Sequence, residues 1–182
     1  MNFFTSDQHF WHQRVIAYCQ RPFSSLDEMH DGLIERCNSL VRPSDTLYVV
    51  GDFSFGSTKQ TQATIERLNG YKILIRGNHD KGHTDMKWTR LGFSEVLTNS
   101  LVKIGEKPVW LSHYPYTGHE HDARTFNTQL DDDGSILLHG HVHRTWKQKG
   151  RMINVGVDAW DFSPVGEDTL IELISQLMET TL

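Results

Sequence analysis

The residues able to do chemistry recur in one arrangement. Five apolar, strand-like runs each end in a residue that can bind a metal: Asp7, Asp52, Asn78, His113 and His141. Two more, His9 and His143, come two positions after Asp7 and His141. On an extended chain, residues i and i+2 point to the same side, so each couple is expected to aim two ligands at one centre. Gly51, Gly77 and Gly140 each directly precede one of these residues. A glycine there permits a sharp turn or the close approach of another segment. The donors are nitrogen and oxygen, with no thiolate. Such a set suits Mn, Fe, Ni, Co or Zn, and Mn²⁺ is the expected ion. It disfavours Ca²⁺ and a closed structural zinc site, which is usually cysteine-rich.

Positioning seven such side chains requires strands whose ends converge. The run at residues 1–4 enters a polar loop at Asp7. Ser25 and Glu28 form a capping-box pattern, and Met29, Leu33, Cys37 and Leu40 follow at helical spacing. Residues 45–50 read as a second strand, and Ser57 with Gln60 opens another helix, which Gly70 is expected to close. Residues 72–75 make a third strand. Residues 101–104 and 109–112 flank a turn at 105–108 and predict a hairpin. A polar loop over 114–133 follows, then short strands at 136–138 and 152–155. Leu170, Ile171, Ile174, Leu177 and Met178 share one face of a C-terminal helix. The pattern predicts an α/β fold, a sandwich of sheets with helices outside. In layered α/β folds, ligands gather at the carboxyl ends of strands.

The 182 residues suffice for one well-buried domain and are short for two, so a single domain over 1–182 is expected. No run of about 18 apolar residues suggests a membrane span. The N-terminus lacks the pattern of a signal peptide, and a cytoplasmic location is the default expectation. Cys19 and Cys37 form no C-x-x-C couple and read as packing residues. The formal charge of −5 argues against broad adhesion to nucleic acid. It leaves room for a small anionic substrate, because a metal site can reverse the local field.

In order along the chain stand D-x-H (Asp7, His9), G-D (Gly51, Asp52), G-N-H-D (Gly77 to Asp80), a lone His113 and G-H-x-H (Gly140 to His143). The ordered set resembles the calcineurin-like metallophosphoesterase superfamily. More narrowly it is similar to small, uncapped bacterial and phage phosphoesterases, with an H-F-x-H start (His9 to His12) and an N-V-G-V-D-x-W segment (Asn154 to Trp160). The resemblance implies a two-sheet β-sandwich flanked by α-helices in four αββα layers. It implies one metal on Asp7, His9, Asp52 and His143, and another on Asp52, Asn78, His113 and His141, with Asp52 as the bridge. It also implies that His79 faces the substrate and that Asp80 holds His79. The chain departs from the Ser/Thr protein phosphatases of that group: Gly-Asp-Phe-Ser-Phe-Gly carries no arginine, and the third motif ends in Asp80 rather than Glu. A phosphoprotein substrate is therefore disfavoured.

Two metals about 3.5–4 Å apart can clamp a phosphoester and generate the hydroxide that attacks it. Two divalent ions against Asp7, Asp52 and that hydroxide leave the site with about one net positive charge, which suits a phosphate. His79 is the candidate general acid, with Asp80 expected to fix its tautomer and raise its pKa. His12, Tyr114 and Arg124 are candidate substrate contacts, and His119 and His121 lie in the same loop region. His30, His83 and His139 read as structural. The expected function is hydrolysis of a small phosphodiester or phosphomonoester, nucleotide-like by preference. The alternatives are a nuclease, for which Lys147, Lys149 and Arg151 make only a small basic cluster, and a metal-stabilised binding module without turnover.

Overall fold

The computed structural model describes residues 1–117 and 129–180. Two five-stranded mixed sheets are flanked by helices. The first sheet holds β1 (Asn2–Thr5), β2 (Thr46–Val49), β3 (Tyr71–Ile75) and β4 (Glu95–Leu97) as parallel neighbours, with β10 (Val165–Gly166) antiparallel on β1. The second has the order β5 (Ser100–Ile104), β6 (Lys107–Leu111), β7 (Ile136–His139), β9 (Met152–Asn154), β8 (Gln148–Lys149). Its inner three strands, β6, β7 and β9, are parallel.

Alternation along the strands sorts side chains between two cores. Phe3, Leu47, Val49 and Leu74 face the helices α1 (Gln13–Tyr18), α2 (Leu26–Leu40), α3 (Thr58–Arg67) and α4 (Asp85–Leu91). Phe4, Val50 and Ile75 face Val109, Leu111, Leu138 and Ile153 of the second sheet. The final helix, α5 (Glu167–Thr180), adds Leu170 and Ile174 to this inter-sheet core. Trp110, Leu137 and Met152 pack with Tyr116, Leu130 and Trp146 in a third cluster. Strands buried on both faces read as unbroken apolar runs, which is why the runs were visible in the sequence.

Some expectations need adjustment. Helix α3 ends at Arg67 with Leu68 already extended, so Gly70 shapes the turn into β3 rather than stopping the helix. The hairpin turn shrinks to Gly105 and Glu106, because Ile104 already pairs with Lys107. Ser25 caps α2, but the Glu28 carboxylate reaches Ser24 instead of closing the box. Ser57 and Gln60 do form a complete capping box. No helix among the described residues is long and apolar enough to cross a membrane.

Candidate functional site

The carboxyl ends of β1, β2 and β3 meet those of β6, β7 and β9, joined by a bridge between Ser6 and Gly156. There the chain turns through the left-handed region: φ is 57° at Asp7, 52° at His9, 55° at Asp52, 71° at His141 and 49° at His143. Asp7 and His9 do bring their donors together, but from turns and not from extended strand. Asp and His tolerate this region better than most residues, and such strain concentrates at functional sites. Hydrogen bonds between loops hold the turns: Asp7 N to Gly51 O at 3.0 Å, His9 N to Asp52 O at 3.1 Å, Gly140 N to His113 O at 3.1 Å. The loops touch so closely that a Cβ on Gly77 would overlap Asp52 Oδ1, and one on Gly140 would overlap Ser6 Oγ and Asp7 Oδ2.

The predicted ligands come together. Donor atoms of Asp7, His9 and His143 lie within 4.8 Å of one another, as do those of Asp7, Asp52 and His113. Asp52 Oδ2 stands 3.6 Å from His9 Nε2 and 3.5 Å from His113 Nε2. Its other oxygen accepts from His79 N at 2.9 Å. A single oxygen, not the two sides of the carboxylate, thus faces both histidines. Asn78 Oδ1 is 3.0 Å from His113 Nε2. The His141 ring lies 5.3 Å from the His113 ring, and its backbone N donates to Asp7 Oδ2 at 2.9 Å.

This donor set fits a cation. Asp7 Oδ1 and His9 Nε2 are buried, face the cluster and have no hydrogen-bond partner among the described residues. Leaving such atoms unsatisfied costs roughly 1–3 kcal/mol each, which a bound ion would offset. Burial opposes charge on Asp7, yet the rings of His9, His143 and His113 hold its carboxyl well below the usual range. Burial likewise opposes charge on Asp52 and His113, but each stabilises the other, at about 2 and about 9.

Asp80 departs from its expected role. Its Oδ2 accepts from Asp52 N and Gly77 N at 2.8 Å, and Oδ1 from Phe53 N at 3.1 Å. The carboxylate is spent on three backbone amides and does not hold the His79 ring. His79 is not raised either: burial lowers its pKa, with Asp52 opposing. Asp80→Asn should therefore leave a buried N–H without an acceptor and lower stability by about 1–3 kcal/mol. Urea unfolding of the metal-free protein checks this. Wild-type stability with a displaced kcat–pH profile would instead mark Asp80 as the orienting partner of His79.

The remaining predicted contacts divide. His12 lies at the cleft, stacked on Phe55 at 4.3 Å, with Nδ1 3.3 Å from His9 Nδ1. It is placed to orient His9, and burial followed by the charges of His9 and His79 pushes it down to about 4. Tyr114, expected to meet substrate, is buried with its ring edge-on to His113 and His141. Arg124, His119 and His121 fall outside the described residues. His139 and His30 are buried as structural residues, the first against Trp146 and the second accepting from Trp11 N. Trp160 is engaged by Asn154 O and by the Lys147 ammonium.

Four positions beside the candidate site were given no site role in the sequence reading. Asp158 Oδ2 is 2.8 Å from His143 Nδ1, which fixes the orientation of the ring. Arg21 donates to both Asp158 oxygens and to the carbonyls of Asp7 and Gln8. Asp158 was visible inside the N-V-G-V-D-x-W segment, but nothing in the sequence linked it to Arg21. Phe55 stands beside His9, His12 and His79, in the stretch where the protein phosphatases place an arginine. Cys19, read as packing, is buried among apolar residues but also lies within 4.8 Å of donor atoms of His143 and Asp158.

Comparison with known proteins agrees with this geometry. A calcineurin-like phosphoesterase superfamily domain matches residues 5–162. The Gene 66 protein of Mycobacterium phage L5 is 34% identical, over 97% of this chain and 95% of its own. An uncharacterised protein of Methanocaldococcus jannaschii is 33% identical, over 94% of this chain and 89% of its own. A crystal structure of a protein of unknown function from Aquifex aeolicus superposes with a TM-score of 0.73 at 26% identity, covering 96% of this chain and 99% of that one.

Proposed function

The chain belongs to the calcineurin-like phosphoesterase superfamily, and on that premise we propose that it hydrolyses small, nucleotide-like phosphodiesters with two divalent ions, Mn²⁺ by preference. Asp7, His9, Asp52 and His143 would hold one ion. Asp52, Asn78, His113 and His141 would hold the other. The observation that carries this reading is Asp52 Oδ2, 3.6 and 3.5 Å from one nitrogen of each group. When bound, such ions supply charge neutralisation of the phosphoester and acidify water at neutral pH.

The protein's own groups do the rest. Asp52 Oδ1, held by the His79 amide, keeps Oδ2 in place. Asp158 and His12 fix the ring orientations of His143 and His9. His79 is partly exposed, with Nε2 3.9 Å from Asp52 Oδ2, and borders the open cleft. From there it can donate a proton or hydrogen bond to the departing oxygen. Asp80 enters the chemistry only by fixing the turns that carry Asp52 and Asn78.

The test is metal removal. Protein dialysed against a chelator should lose cleavage of bis(p-nitrophenyl) phosphate, and Mn²⁺ should restore it as bound metal reaches two ions per chain. Full activity in the metal-free protein, or saturation at one ion with full activity, would overturn the reading.

A further inference from the structure

The candidate metal residues line only part of a cleft. It measures about 560 Å³ and is lined by His9, His141 and His143 together with His12, His79, Val15 and Tyr18 of α1, and Arg144 and Thr145. That volume lies within the usual range of small-molecule sites, roughly 300–1,000 Å³. A phosphoryl group fills only the part at the metal residues. The rest must accommodate the organic part of the ester.

The lining contributed by α1 is apolar and aromatic: Val15 is buried, and the Tyr18 ring stands edge-on to His12 at 6.3 Å with 66% of the residue exposed. A single exposed tyrosine is unremarkable on a surface. Here, however, it lines the same cleft as a cation and three of the candidate metal residues. Also lining the cleft, Arg144 donates through Nη1 to Gln20 Oε1 at 2.5 Å, a neutral amide. Arg21, Arg67, Arg76 and Arg151 each bond a carboxylate instead. A guanidinium has five N–H donors, and its fork matches phosphate. Arg144 therefore presents a positive charge and spare donors at the cleft of a chain whose formal charge is −5.

We propose that Tyr18 and Arg144 form a subsite for a nucleotide bearing a second phosphate. The scissile phosphate lies at the metal residues, the base stacks on Tyr18, and the second phosphate meets Arg144. This rests on the phosphoesterase reading above for the placement of the scissile group. The sequence offered no second phosphate clamp, because Arg144 gains its position only from the turn that also carries His141 and His143.

Binding and turnover test it separately. In calorimetry on the Mn²⁺-loaded protein, thymidine 3′,5′-bisphosphate should bind more tightly than thymidine 5′-phosphate. Arg144→Gln should reduce that preference by about tenfold, the effect of one charge-assisted contact. Tyr18→Ala should weaken both nucleotides by about tenfold and Tyr18→Phe by little, since stacking needs the ring and not the hydroxyl. Lys103→Gln, on the β5–β6 hairpin, controls for net charge and should leave the preference unchanged. With nitrophenyl esters of the same nucleotides, the Arg144 effect should appear in KM rather than kcat. An unchanged preference in Arg144→Gln, or wild-type affinity in Tyr18→Ala, overturns the subsite. Arg144-dependent binding without turnover of any ester supports the subsite and overturns the phosphoesterase reading instead.

Discussion

Asp52→Asn should cut kcat on a phosphodiester by roughly 10³-fold, the scale seen when a centrally placed electrostatic group is removed from an active site. The direction follows from which atom is fixed. Asp52 Oδ1 accepts from His79 N at 2.9 Å, and a backbone N–H demands an acceptor. In the variant the amide oxygen must take that position. The amide NH₂ is then forced to face His9 Nε2 and His113 Nε2, where Oδ2 now stands 3.6 and 3.5 Å away. A donor group would replace the carboxylate oxygen that stands beside a histidine of each ligand group. Bound metal should drop below two ions per chain, and metal-free Tm should fall, because the fold holds Asp52 at about 2 in its charged form and His113 loses the partner that raises it. A kcat within threefold of wild type would show that Asp52 does not bridge.

Side-chain orientation decides the effect of Asp52→Asn, and orientation is where a sequence is least informative. The positions of Asp7, Asp52, Asn78, His113 and His141 were legible because parallel strands covered on both faces are continuous apolar runs, and a run that stops at a polar residue marks its own end. Their conformation was not. Period-two reasoning holds for extended chain, and Asp7, His9, His141 and His143 lie at positive φ. Asp80 misled for a related reason. Adjacency to His79 suggested a partner, whereas its carboxylate turns to the amides of Gly77, Asp52 and Phe53. Tyr114 was assigned to the cleft because its loop follows His113, yet the hydrophobic ring is buried against His113 and His141. Helix α1 at six residues and strand β4 at three are too short to display a period.

The same limit hid Arg21, which lies 137 positions from Asp158. Arg21→Met should destabilise the metal-free protein by about 3–5 kcal/mol, the cost of removing one partner from a buried ion pair. The pair qualifies: the Arg21 side chain is 0% exposed and that of Asp158 2%. Its fork fills both Asp158 oxygens at 2.8 and 2.9 Å and also binds the carbonyls of Gln8 and Asp7 at 2.8 and 2.7 Å. Methionine matches the volume but offers no donor to any of them. Asp158 would be left with His143 as its remaining charged partner, and the turn carrying Asp7 would lose a tie on its carbonyl. Because that carboxylate also sets the His143 ring, affinity for the first Mn²⁺ should fall by about 10–100-fold, a typical loss for an outer partner of a ligand histidine. Urea unfolding without metal and calorimetric Mn²⁺ titration separate the two effects. Stability within about 1 kcal/mol of wild type, with undiminished Mn²⁺ affinity, would reduce Arg21 to a bystander beside the site.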